Sequence, residues 1–161
     1  MTDKTATTEL SGHLAPLLAR GSKDAAALKD ALGLVLAHFK SETGTIHWFD
    51  AATQTLHLAA DAGLPPPMRE IVRTIPAGKG IAGQVVVRKG PVTICNLQTD
   101  TSGVAKPGAR GTGVGGALCV PIWRGNALIG TLGVGTQREY EYTPEETRDL
   151  EQIGRQIGAI A

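Results

Sequence analysis

Three groups of residues in this chain have the types and spacing to do chemistry. The first is the glycine-rich bend Pro76-Ala77-Gly78-Lys79-Gly80-Ile81-Ala82-Gly83, in which Gly78, Gly80 and Gly83 permit a tight turn that opens a short helix. The first N–H groups of a helix have no intrahelical acceptors, so such a bend can hold a polar ligand as well as simply permit the turn. Gln84, Asn96 and Gln98 stand on or beside the bend and the strand that follows it, and offer amide groups for contacts. Lys79 is followed by Gly80, so the GxxxxGK[ST] phosphate loop is absent, and Lys79 equally suits a solvated loop position. The second group is a pair of cysteines, Cys95 and Cys119, which lack a CxxC spacing and are too few for a disulfide framework. Both fall on expected strands, where a small apolar filler is the plain alternative to thiol chemistry. The third group is His13, His38, His47 and His57; His47 and His57 fall on one expected hairpin, and two histidines without further ligands do not make a metal site.

The frame that must position these residues has one core's worth of apolar side chains. The chain has 161 residues, 42% of them hydrophobic, which is most simply one domain behind a polar, partly helical leader over residues 1–22. A net charge of +1, unclustered basic residues and 4% aromatic content argue against nucleic acid as a partner. Apolar runs are broken by Gly, Pro or charge well before the roughly 20 residues a bilayer span requires, and residues 1–20 lack an apolar signal core. The expectation is a cytoplasmic protein that binds neither membrane nor nucleic acid.

Periodicity gives the elements. Ser22 is placed to cap a helix whose Leu28, Leu32, Val35, Leu36 and Phe39 share one face. Thr45–Phe49 and Leu56–Ala60 read as a hairpin, and the prolines at 65–67 as the start of a short helix with Met68, Ile71 and Val72. Val92–Cys95 reads as a strand. Residues 100–116 hold six glycines and one proline and read as a long loop of functional kind. Ala117–Ile122 and Ala127–Thr136 form a second hairpin, and Thr143-Pro144-Glu145-Glu146 caps a last helix with Leu150, Ile153, Ile157 and Ile160 on one seam. Alternation groups Ile46 with Trp48 and opposes them to His47 and Phe49; it likewise opposes Leu118, Val120 and Ile122 to Cys119 and Pro121, without saying which set meets the helices. Paired strands with helices outside them indicate an α+β fold.

In this order, Pro-x-Gly-Lys-Gly-Ile-Ala-Gly, Gly-Pro-Val-Thr-Ile, the run Ala-Leu-Cys-Val-Pro-Ile-Trp-Arg-Gly-Asn-Ala-Leu-Ile-Gly-Thr-Leu-Gly-Val and Tyr-Thr-Pro-Glu-Glu resemble a GAF domain over roughly residues 24–160. The resemblance implies a central antiparallel sheet of five or six strands, terminal helices on one face and a loop-covered pocket on the other, in a single domain over residues 23–161. It also implies a ligand-sensing module that dimerises through its terminal helices and acts on an output domain or a protein in trans. The free-methionine-sulfoxide reductases of this family carry a cysteine in the bend and another in the long loop. Here Ala82 stands in the bend and residues 100–116 contain no cysteine, which disfavours that activity. The Asn-Lys-x-x-x-Phe signature of cyclic-nucleotide-binding members is absent, and neither cysteine has the adjacent histidine of a bilin anchor. Haem would need one of the four histidines as an axial ligand, and no cofactor is expected.

Candidate ligand contacts are Trp48, Gly80, Gln84, Asn96, Gln98, Thr112, Gly113, Gly115 and Cys119. Lys106 and Arg110 would add an anion preference if they turn inward, or remain solvated loop charges. The expectation is therefore a small-molecule sensor without catalytic residues, its ligand unnamed; a redox enzyme of the same fold and a dimerisation module without ligand are the alternatives.

Overall fold

The computed structural model describes residues 4–95 and 115–160. In chain order the elements are α1 (Lys4–Leu18), α2 (Ala25–His38), β1 (Thr43–Asp50), β2 (Thr55–Ala62), α3 (Pro66–Val72), β3 (Thr74–Pro76), α4 (Gly80–Arg88), β4 (Val92–Ile94), β5 (Ala117–Arg124), β6 (Ala127–Gly135) and α5 (Pro144–Ile160). The six strands form one sheet in the order β3-β2-β1-β6-β5-β4, with every neighbouring pair antiparallel. This is an α+β architecture.

Local chemistry accounts for the element ends. The Asp24 carboxylate accepts from Ala27 N–H at 2.9 Å and caps α2. The sequence reading placed that cap at Ser22, but an ionised carboxylate two residues later is an equally good acceptor and complements the positive end of the helix. α5 opens with a reciprocal capping box: Thr143 Oγ1 accepts from Glu146 N–H at 3.0 Å, and Glu146 Oε1 accepts from Thr143 N–H at 2.9 Å. Strand β3 has only three residues and carries no periodic pattern of its own; pairing with Thr55–His57 of β2 makes it a strand.

The sheet separates two apolar clusters. On one face α1, α2 and α5 contribute Leu14, Leu32 and Leu150, among others, and the sheet contributes Ile46, Leu118, Val120, Ile122, Leu132 and Val134. On the other face a smaller cluster joins Leu56, Ile75, Ala82, Val85, Val86, Val92 and Cys119. The Ile46 and Leu118 sets are thereby the ones that meet the terminal helices. α5 lies close on β5 because two of its residues have no side chain. A Cβ on Gly154 would sit 2.8 Å from the Pro121 carbonyl oxygen, and one on Gly158 would overlap the Trp123 carbonyl.

Candidate functional site

On the face away from the terminal helices the middle of the sheet is short of side-chain volume. Its central strand, β6, presents Gly133 and Gly135 there, paired with Thr45 and Thr43 of β1 and with Cys119 and Ala117 of β5. A Cβ on Gly133 would point between Thr45 Oγ1 (3.1 Å) and Cys119 Sγ (3.7 Å), so these three residues are adjacent on one floor. Above it stand Met68, Ile71 and Val72 of α3, Ile75 of β3 and the first turn of α4, Gly80 to Ala82. Among the described residues the space between floor and walls is a partly open cavity of about 120 Å³. Apolar cavities of this order, up to roughly 150 Å³, hold a molecule the size of benzene.

The walls stand off the floor for identifiable reasons. His47, 1% exposed, lies 2.8 Å through Nε2 from the Val72 carbonyl oxygen. A carbonyl can only accept, so Nε2 carries the hydrogen and ties β1 to the last turn of α3. The glycine bend fixes α4. Gly78 and Gly80 have φ of 85° and 64°, a left-handed backbone that favours glycine. A Cβ on Gly83 would come within 2.7 Å of the Pro76 carbonyl oxygen, so the helix start can press against the end of β3 only with glycine there. Gly78 N–H donates to the Gly83 carbonyl at 2.9 Å, Lys79 N–H to the Pro76 carbonyl at 3.1 Å, and Gln84 Nε2 to the Gly78 carbonyl at 2.9 Å. The bend thus bonds largely to itself, and its first-turn residues Gly80, Ile81 and Ala82 form a cavity wall.

The sequence-selected contacts divide among several places. Gly80 and Cys119 line the cavity together. Gln84 braces the bend beside it through the Gly78 carbonyl. Gly115 precedes β5, its N–H donating to the Thr136 carbonyl at 2.5 Å, and it is not among the lining residues. Trp48 is on the opposite face, in a separate, more open hollow with Leu28, Ala59 and Ile129, because alternation groups it with Ile46. Asn96, Gln98, Thr112 and Gly113, with Lys106 and Arg110, lie outside the described residues. Among functional roles, sequence reasoning weighed His47 only as a metal or haem ligand, and did not select Thr43, Thr45 or the α3 residues. The available signal was the two-residue repeat of polar positions 43, 45 and 47 facing the repeat of glycines 133 and 135.

The thiols differ in setting. Burial pushes the Cys119 thiol up from 9.0 to about 12, against a smaller opposing effect of the Thr131 hydroxyl. Cys95 is exposed just beyond β4, and its Sγ donates to Glu139 Oε1 at 3.6 Å. Desolvation and the Glu139 carboxylate push that thiol up as well. Neither setting generates a thiolate at neutral pH. Among the described residues no group of three or more His, Cys, Asp and Glu side chains could hold a metal ion, and no helix is long and apolar enough to cross a membrane.

Comparison with known proteins agrees with this architecture. Nitrogen fixation protein AnfA of Azotobacter vinelandii is 30% identical over 116 residues, which are 70% of this chain and 21% of that protein. The chain therefore spans about a fifth of the length of that curated relative. The GAF domain of a phosphoenolpyruvate-protein phosphotransferase from Coxiella burnetii superposes with a TM-score of 0.80 at 16% identity, covering 97% of this chain and 92% of the other. A free methionine-R-sulfoxide reductase from Neisseria meningitidis, in complex with its substrate, superposes with a TM-score of 0.77 at 16% identity, covering 98% and 90%. At such identities the likeness is one of fold, and that fold occurs both as a domain of a phosphotransferase and as a reductase. A family model described as the GAF domain matches residues 25–160, and the chain belongs to the GAF domain family.

Proposed function

We propose that this chain is a signalling module that binds a small molecule in the cavity between the sheet and α3/α4, and that it works without catalysis in the cytoplasm. The observation that carries this reading is the cavity floor: two glycines on a central strand leave space that any ordinary strand residue would fill. The similarity to one part of a longer protein, nitrogen fixation protein AnfA, supports an output that is covalently continuous or supplied in trans. Ligand would shift the population of arrangements of α3 and α4, and the shift would pass through the sheet to α1 and α5. Homodimerisation through the terminal helices belongs to the same proposal. Leu150, Ile153 and Ile157 are buried within the subunit, so such a dimer would use the polar outer faces, with exposed Glu9, Arg148, Gln152 and Arg155. The expected partners are a small molecule and a second copy of the chain, with no nucleic acid and no membrane.

The test is a thermal-shift screen of a metabolite panel on the wild type and on Met68→Trp, which fills the cavity from a half-buried wall position. Stabilisation by at least one compound in the wild type and none in the variant supports the proposal; equal stabilisation of both contradicts it. A second reading, reduction of a sulfoxide at a thiol, is favoured by the Neisseria meningitidis reductase as a structural neighbour. Ala82 on the cavity wall and the protonated, buried Cys119 weigh against it. Methionine sulfoxide reduction that disappears in both Cys95→Ser and Cys119→Ser would establish it in place of the sensor.

A further inference from the structure

We infer that the cavity selects an uncharged, compact, predominantly apolar ligand that presents one or two hydrogen-bonding atoms to the threonine side of the floor. This rests on the reading of the cavity as a ligand site and adds the chemical class. Among the described residues that line it there is no Asp, Glu, Lys or Arg. The cations nearest in sequence are directed elsewhere: Arg69 of α3 bonds Asp61 at 3.0 Å, Arg73 sits 3.7 Å from Glu70 with its side chain 74% exposed, and Lys79 is exposed. The lining is mainly aliphatic, with Leu64, Met68, Ile71, Val72, Ile75 and Ile81 facing the glycine floor.

Polar recognition is confined to a few groups. Thr43 and Thr45 supply hydroxyls from alternate positions of β1, and His47 supplies an imidazole already joined through Nε2 to the Val72 carbonyl. Cys119 adds a thiol that remains protonated, because burial raises it to about 12. A buried carboxylate or ammonium requires an opposite charge or several hydrogen bonds, and a wall of this composition offers neither in number. An apolar body with a hydroxyl or carbonyl leaves no group uncompensated.

Three probes of nearly one shape separate the outcomes: benzyl alcohol, benzoate and benzylammonium, titrated into the full chain and followed by amide chemical shifts. Benzyl alcohol is expected to perturb Thr45, Ala82 and Gly133 together, with both ions at least about a hundredfold weaker. Thr45→Val, nearly isosteric, is expected to weaken benzyl alcohol by up to about tenfold and to leave toluene binding unchanged. If either ion binds at these amides as tightly as benzyl alcohol, the ligand class is overturned while the cavity stands as a binding site. If no probe perturbs these amides, the cavity reading itself falls and the ligand class falls with it.

Discussion

A methyl group on Gly133 would sit 3.1 Å from the Thr45 hydroxyl oxygen and 3.7 Å from the Cys119 sulfur, in the middle of the cavity floor. Gly133→Val should therefore abolish ligand stabilisation, with a cost of about 1–3 kcal/mol in urea unfolding from local overpacking. Retained ligand stabilisation in a folded variant would place binding elsewhere. Cys119 and Tyr142 make the fold sensitive to alkaline pH. Burial raises Cys119 from 9.0 to about 12, and burial chiefly raises Tyr142 from 10.0 to about 12. Both groups lose their protons more readily in the unfolded chain. Their contribution is thus complete below about pH 9 and declines as pH rises towards about 12. Urea midpoints should fall between about pH 8 and about pH 11, and Cys119→Ala combined with Tyr142→Phe should flatten that fall. These settings were only partly legible in the residues. Alternation opposed Cys119 to Leu118 and Val120, yet the pattern is symmetrical and cannot assign a face until helices pack on one. Trp48 illustrates the consequence, since it shares the Ile46 face and packs away from the cavity. His47 was read as an ordinary strand residue because its partner, the Val72 carbonyl, is 25 residues away and belongs to a different element.

The last helix combines a strongly local start with a contact visible only after folding. Thr143, Pro144 and Glu146 announce its N-terminus in sequence, and the capping box forms as their chemistry requires. Thr143→Ala should cost about 1 kcal/mol of stability in urea unfolding, whereas a change within a few tenths would remove the cap from the account. Gly154 and Gly158, by contrast, look like helix-weakening residues in sequence. Packed against β5, they allow the helix to rest on the Pro121 and Trp123 carbonyls. Gly158→Ala should therefore destabilise by more than about 2 kcal/mol, although alanine is the better helix former by about 1 kcal/mol. A stabilised Gly158→Ala would contradict this packing. The glycine bend before α4 was legible as a bend. Its main task was not: Gly78 bonds to Gly83 and Gln84 over more residues than a β-turn spans, and those bonds appear only in three dimensions.

The two faces of the sheet have different roles. Leu14, Leu32, Leu150, Ile153 and Ile157 are each at most 2% exposed, and this side forms the main core. The opposite side carries the smaller cluster and the cavity. Among the described residues Val87, 60% exposed, is the large hydrophobic side chain left outside. The proposed dimer on the outer faces of α1 and α5 would consequently be polar, and sedimentation should show its dissociation constant rising with salt. A salt-independent dimer would require another surface. Apart from β3, the order of elements, the α+β class and the family were recoverable from motif order, because capping, turn chemistry and periodicity are local. A pocket on the face away from the terminal helices was implied by the resemblance, but most of its lining was not legible, since it depends on which side chains are missing from neighbouring strands that are distant in sequence. The central claim is that a small molecule occupies that space, and amide chemical-shift mapping with a metabolite panel tests it most directly. The account predicts that at least one compound shifts Thr45, Ala82 and Gly133 together and that Met68→Trp removes the effect. Shifts confined to the terminal helices or to the hollow around Trp48, or none at all, would contradict it.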